Sequence, residues 1–247
     1  MNQGLVIIPT FNEKENIENI IHAVFALDTP FDLLIVDDNS PDGTAGIVRN
    51  LMKNYSGRLH IMERKGKQGL GTAYIAGFRW ALERHYDFIF EMDADFSHNP
   101  NDLEKLYTVL QHNEADVAIG SRYITGVNVV NWPMGRVLMS YYASAYVRFV
   151  TGMEIRDTTA GFVGWKRNVL ETIDLDKIKF VGYAFQIEMK FTALKLGFRV
   201  KEVPIIFTDR TEGESKMNKG IFREAVFGVI SLRKRSLLGK IKPRETA

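Results

Sequence analysis

Hydrophobic residues along this chain follow two rhythms that alternate through its first half. LVIIP (5–9) is an unbroken apolar run, as expected of a strand buried on both faces. Asn12 followed by Glu15 reads as a capping box, after which Ile17, Ile20, Ile21, Val24 and Phe25 recur at helical spacing. The pair then repeats. LLIVDD (33–38) precedes a helix carried by Ile47, Val48, Leu51 and Met52, and LHIME (59–63) precedes a glycine-punctuated helix through Trp80 and Leu82. FIFEMD (88–93) precedes a helix face of Leu103, Leu106, Tyr107 and Leu110, and DVAIG (116–120) makes a fifth strand. Such alternation predicts an α/β fold, one mostly parallel sheet with helices on both faces. The second half is less regular. It predicts a helix near 136–150, a β region around 161–166, a helix around 184–196, a strand RVKEVPIIF (199–207) and a final amphipathic helix near 219–235.

Composition narrows this only a little. With 247 residues, 45% hydrophobic and 25% charged, the chain is neither collagen-like, coiled-coil nor wholly disordered. It has no cysteine, which removes disulfides, thiolate metal sites and a cysteine nucleophile and fits a cytosolic setting. MNQGLVIIPT lacks the basic start of a leader, and no stretch reaches the ~20 apolar residues of a spanning helix. The net charge of +2 is uneven, because residues 231–247 hold six Lys or Arg against one Glu. That tail is either a solvated end or a contact for anionic phospholipid; no nucleic-acid partner is expected.

Chemistry concentrates where the apolar runs stop. In open parallel sheets ligands bind beyond the carboxyl ends of the strands, and PTFNE, DDNSPDGT, DADFSHNP and GSRY follow four of them. If the strand continues, Asp93 and Asp95 face one side, so two hard oxygen ligands can converge on Mg²⁺ or Mn²⁺ and leave positions open for phosphate oxygens. His98, without a partner at ligand spacing, reads as a loop or hydrogen-bonding residue. Asp37 and Asp38 either cap the NSPDG turn or accept hydrogen bonds from a base or ribose. GxGxxG and GxxxxGK[ST] are both missing, against a dinucleotide fold and a P-loop. KGKQGLGTA (65–73) lets a helix start close to the sheet, or touches a phosphate.

Taken in order, PTFNE, VDDNSPDGT, KQGLGTA, MDADFSHNP, GSRY, RDTTAGF and DRTEGESKM resemble the family 2 inverting glycosyltransferases of GT-A fold, and more closely the polyprenol monophosphate mannose synthases. The resemblance runs from about Leu5 to Met217. It implies a catalytic domain over 1–218 followed by an amphipathic basic helix and tail over 219–247. It further implies that Pro9, Phe11, Glu13, Val36 and Asp38 hold the guanine and ribose of GDP-mannose. Phe11 stands where many relatives have Tyr, so stacking survives without the phenolic hydrogen bond. Asp93 and Asp95 would hold the cation, with the Ala94 backbone near the donor, and Ser97 stands where some relatives have Gln. Arg122, Arg136, Ser140, Arg210 and Lys216 would bind donor and acceptor phosphates, for which guanidinium forks are suited.

A polyprenyl phosphate is mostly dianionic at neutral pH and already nucleophilic, so no general base is assigned. A hydroxyl acceptor would instead need one, with Asp157 or Glu188 as candidates; UDP-glucose is the alternative donor, and a non-catalytic sugar-nucleotide module the alternative class. RDTTAGF (156–162), Phe185 and Glu188 are placed near the sugar pocket. The apolar face Ile221, Phe222, Ala225, Val226, Val229 and Ile230 either lies in a membrane interface or packs on the domain. The expected location is peripheral, on the cytosolic membrane face, with or without a separate anchoring subunit.

Overall fold

Six of the seven residues of β1 (Gly4–Thr10) and all six of β2 (Asp32–Asp37) are buried, which is why both read as continuous apolar runs. The structure, a computed structural model, describes residues 3–182, 184–209 and 219–244, with backbone only for 219–226. β1 pairs in parallel with β2 on one side and with β4 (Phe88–Glu91) on the other, and β3 (Leu59–Glu63) extends the β2 side. Beyond β4 lie β7 (Val163–Lys166), β5 (Val117–Ser121) and β8 (Val200–Pro204), giving the order β3-β2-β1-β4-β7-β5-β8. Helices α1 (Ile17–Phe25), α2 (Thr44–Leu51) and α4 (Asp102–Gln111) contribute to one core layer, around Val6, Ile8 and Phe90. The other layer, around Ile7, Tyr74 and Trp165, receives α3 (Leu70–Glu83), α6 (Arg167–Thr172) and α7 (Ala184–Lys195).

β7 is antiparallel to both β4 and β5. An antiparallel strand begins where its parallel neighbours end, so RDTTAGF (156–162) enters the sheet at the edge that carries Asp93, Asp95 and Arg122. The expected strand at 199–207 is broken in two. Pro204 is opposite Ser121, and after Ile205 the chain leaves β5; β9 (Phe207–Thr208) pairs with β6 (Val129–Val130) in a separate two-stranded sheet. This carries Thr208 to the Ser97 carbonyl and Asp209 to that of Val130.

The capping box at Asn12 does not form. Asn12 adopts φ +56°, and the N-cap of α1 is Asn16, without a side-chain cap. The PTFNE loop is held instead from α2's side, the Glu13 and Lys14 amides donating to Thr44 Oγ1 and Asp42 Oδ2. Of the glycines of KGKQGLGTA, Gly69 and Gly71 serve close packing, though against a different neighbour than the sheet. A Cβ on Gly71 would lie 2.8 Å from the Phe180 carbonyl and the Phe185 ring, so α3 starts tight against the segment leading into α7. Gly71→Ala is expected to cost about 1–3 kcal/mol through overpacking, read as a lowered thermal midpoint.

α5 (Met134–Thr151) and α8 (Lys219–Leu237) pack against each other, and α8 also against α7. Val229 and Leu232 are buried there, while Phe227 and Ile230 face solvent. Of the apolar face expected at 221–230, Val229 therefore points inward and Ile230 outward; the side chains at 221–226 lie outside the described residues.

Candidate active site

The strand order turns at β1, whose neighbours lead away on either side, and the crevice at such a switch point is where α/β sheets bind ligands. Asp37 is consumed in building it: its carboxylate accepts from Thr10 Oγ1 at 2.9 Å and from the Ser40 amide and hydroxyl at 2.9 and 2.6 Å. Asp38 meets Arg64 Nε at 2.5 Å, and Arg64 Nη1 donates to Thr72 Oγ1 at 2.8 Å. Arg64 Nη2 is buried with no hydrogen-bond partner, a donor held beside the crevice. Sequence reading missed Arg64, since an arginine after LHIME resembles any surface cation. Pro9, Phe11 and Glu13 are half-buried at the end of β1, with Lys67 Nζ 5.1 Å from the Phe11 ring centre. Val36 is a fully buried core side chain.

Asp93 and Asp95 lie beyond the strand, because β4 ends at Glu91. The alternation nevertheless persists past the last ladder bond. Phe90, Met92 and Ala94 pack in one core layer, while Glu91, Asp93 and Asp95 act on Tyr74 in the other. Burial, then those three carboxylates, hold the Tyr74 phenol well above its ordinary range. Asp95 is buried and accepts from the Ser97 amide at 3.1 Å. Phe96 between them sits at φ +57°, an uncommon conformation for a bulky residue and of the kind that clusters at functional loops. His98 is buried against Phe162 and Phe207. Burial pulls its imidazole down to about 4, against the pull of Asp95, so it is neutral near pH 7.

Arg122 is committed to Asp157. Nε and Nη2 each reach a carboxylate oxygen at 2.7 Å, the Arg122 amide adds a third bond at 3.0 Å, and Nη2 also reaches Thr159 Oγ1. Burial pushes the Asp157 carboxyl up, but Arg122's charge and hydrogen bonds outweigh it and hold the group below its ordinary value. Arg122 also lies 5.5 Å from the Trp132 ring centre, and Arg136 lies 4.2 Å from the same ring, donating to Asp209 at 2.8 Å. Ser140 is half-buried one turn along α5 from Arg136. The two arginines thus converge on one indole that sequence reading did not single out. Arg210 and Lys216 lie outside the described residues.

The two carboxylates named for a hydroxyl acceptor are both occupied. Asp157 is fully buried under Arg122, and Glu188 accepts from the Lys179 and Phe180 amides and from Arg235 Nη1 at 2.5 Å, tying α7 to α8. Phe185 is a core ring stacked on Tyr74. Two α7 side chains beneath the site were missed. Gln186 donates to Glu91, which also accepts from Trp165 Nε1 at 2.6 Å; Lys190 donates to the Thr158 and Ala160 carbonyls at 3.1 and 2.5 Å. Burial pushes the Glu91 carboxyl up to about 7 and pulls the Lys190 ammonium down to about 8. A cleft of about 520 Å³ lined by Ile124, Met153, Phe191 and Glu202 opens elsewhere, along β8, and holds none of these groups.

A doubly wound sheet carries a paired carboxylate loop at its switch point and two arginines against one indole. Residues 5–174 match the model of glycosyl transferase family 2, and the chain belongs to that family. It is 47% identical over 225 residues to a polyprenol monophosphomannose synthase of Mycolicibacterium smegmatis, covering 91% of this chain and 84% of that one. It is 45% identical to an undecaprenyl-phosphate mannosyltransferase of Micrococcus luteus, covering 91% of each. Its fold is that of glucosyl-3-phosphoglycerate synthase from Mycobacterium tuberculosis. The complex of that enzyme with phosphoglyceric acid matches at a TM-score of 0.70 and 17% identity, over 94% of this chain and 80% of that one. A second complex, holding Mn²⁺, UDP and glucosyl-3-phosphoglycerate, matches at 0.66 and 17%, over 97% and 80%.

Proposed function

We propose that this chain transfers mannose from GDP-mannose to a polyprenyl phosphate with inversion, giving a polyprenyl phosphate β-mannose. The observation that carries this reading is the state of the candidate bases. Asp157 and Glu188 are buried and paired, which suits an acceptor that needs no deprotonation. A phosphate monoester oxygen attacks the anomeric carbon as the bond to the β-phosphate oxygen of GDP breaks, and no proton has to move. Arg122 and Arg136 offset the repulsion between the two phosphate groups, and Arg64 offers a further donor over Asp38. The names of the two curated relatives support the mannosyl donor and the lipid phosphate acceptor.

Asp93 and Asp95 are hard oxygen donors on the loop that follows β4 and fit Mg²⁺ or Mn²⁺. No group of three metal-ligating side chains forms among the described residues. Held by Asp93 and Asp95, such an ion would supply positive charge to offset that of the departing GDP. Among the described residues no helix is long and apolar enough to cross a membrane; attachment is proposed to be peripheral, on the cytosolic face, aided by the basic tail or by a separate anchoring subunit.

Label from GDP-mannose, and not from UDP-glucose, is expected to enter the organic phase when the protein is incubated with polyprenyl phosphate and Mg²⁺. Transfer from UDP-glucose alone would overturn the donor. Arg136→Ala is expected to raise the KM for lipid phosphate far more than that for GDP-mannose, by the equivalent of about 1.5–3 kcal/mol. Equal effects on both would place Arg136 in the shared phosphate region or in the scaffold.

A further inference from the structure

Between α5 and β7 the stretch 156–160 is neither helix nor strand. Asp157 and Thr158 within it are fully buried, so its amides and carbonyls need partners that no ladder supplies. Two charged side chains supply them. The Arg156 amide donates to Glu202 Oε2 at 2.7 Å and the Asp157 amide to Glu202 Oε1 at 2.9 Å. The Thr158 and Ala160 carbonyls accept from the Lys190 ammonium. An anion from β8 thus takes donors of the segment, and a cation from α7 takes its acceptors.

Glu202 also reaches the other side of the buried ion pair. β8 lies beside β5 with Glu202 opposite Ile119 and Pro204 opposite Ser121, which sets Glu202 and Ser121 diagonally on one face. Ser121 Oγ donates to the same Oε1 at 2.6 Å. One carboxylate oxygen therefore binds the residue before Arg122 and the amide of Asp157. Lys190 adds its charge on the Asp157 side, favouring the ionised carboxylate that the Arg122 fork needs. Only an ionised carboxylate accepts at both oxygens; a neutral amide in its place would turn a donor toward one of these N–H or O–H groups.

We propose that Glu202 is a positioning residue for the transfer, fixing through Asp157 the guanidinium edge that Arg122 presents beside Trp132 and Arg136. Lys190 holds the carbonyls on the far side of Asp157 and completes the grip on the segment. The inference rests on the phosphate role read for Arg122 above and deepens it. Forked recognition of phosphate oxygens depends on placement, and a misplacement of about 1 Å caused by a residue away from the chemistry can cost about 10²-fold.

The test uses the full chain, Glu202→Gln, and the same substitution in the Arg122→Met/Asp157→Leu background. Glutamine keeps the shape and one acceptor oxygen but sets an amide donor against a backbone N–H. Amide exchange over 156–160 is followed by mass spectrometry. Label transfer from GDP-mannose to polyprenyl phosphate is measured in single turnover, at a temperature where circular dichroism shows every variant folded. Glu202→Gln is expected to speed the exchange at least about tenfold and to lower turnover by about 10- to 100-fold. In the background lacking the pair, the same substitution should change turnover by less than about twofold, since the residue acts through the pair. If Glu202→Gln does not fold, Ser121→Ala removes one bond to Oε1 and makes the same comparison, at about three- to tenfold against less than about twofold. Unchanged turnover, unchanged exchange, or equal losses in both backgrounds overturns the proposal. No transfer by the wild type would instead overturn the mannosyl-transfer reading, with the exchange comparison still deciding whether Glu202 holds the segment.

Discussion

Asp95→Ala is expected to reduce turnover by roughly 10²–10³-fold while leaving the protein folded. The activity loss follows from position. Asp95 stands two residues from Asp93 on the loop that follows β4, and charge developing on a departing diphosphate is stabilised by fixed electrostatics worth about that factor per group. The stability cost is smaller. Asp95 accepts a 3.1 Å bond from the Ser97 amide, and losing a hydrogen bond of this kind costs about 1 kcal/mol, which moves the melting midpoint by a few degrees in a chain of this size. Asp93→Ala should behave alike, and EDTA should reproduce both until Mg²⁺ or Mn²⁺ is restored. Full turnover in EDTA or in Asp95→Ala, with saturating GDP-mannose, would remove the metal assignment and leave the pair as loop acids.

Why these two carboxylates were legible, and others were not, has a physical basis. Strands buried on both faces leave unbroken apolar runs, so LVIIP and LLIVDD announced β1 and β2, and whatever polar group followed had to stand at the crevice. Strand direction leaves no such trace. VGWK reads the same either way, and only its antiparallel pairing brings RDTTAGF to Arg122. The α7 segment is less legible. Its Gln186, Glu188 and Lys190 are polar yet buried, because each meets a partner separated by many residues: Glu91, Arg235 and the 158–160 carbonyls. Composition cannot reveal partners that only folding assembles. Asn12 shows the same limit locally: a capping pattern was present, but Thr44 of α2 and Asp42 of the turn before it hold the loop.

The Arg122–Asp157 pair carries the second large effect. Asp157→Ala leaves a buried guanidinium without its carboxylate and the Arg122 amide without its acceptor, and breaking a buried pair in this way costs about 3–5 kcal/mol. The pH dependence has a definite sign. Because the folded-state carboxyl lies below its ordinary value, the stabilisation is present above about pH 4 and is lost as the pH falls further. The Asp157→Ala variant should therefore show a flatter acid limb than the wild type in urea titrations. Removing both partners separates scaffold from chemistry. Arg122→Met/Asp157→Leu replaces the pair with apolar groups, a change that is often neutral or better for stability, so its melting midpoint should recover most of the loss. If Arg122 serves the phosphates through the edge it presents beside Trp132 and Arg136, turnover should stay depressed in that refolded double variant. Recovery of turnover together with stability would show that Arg122 only holds the RDTTAGF segment in place.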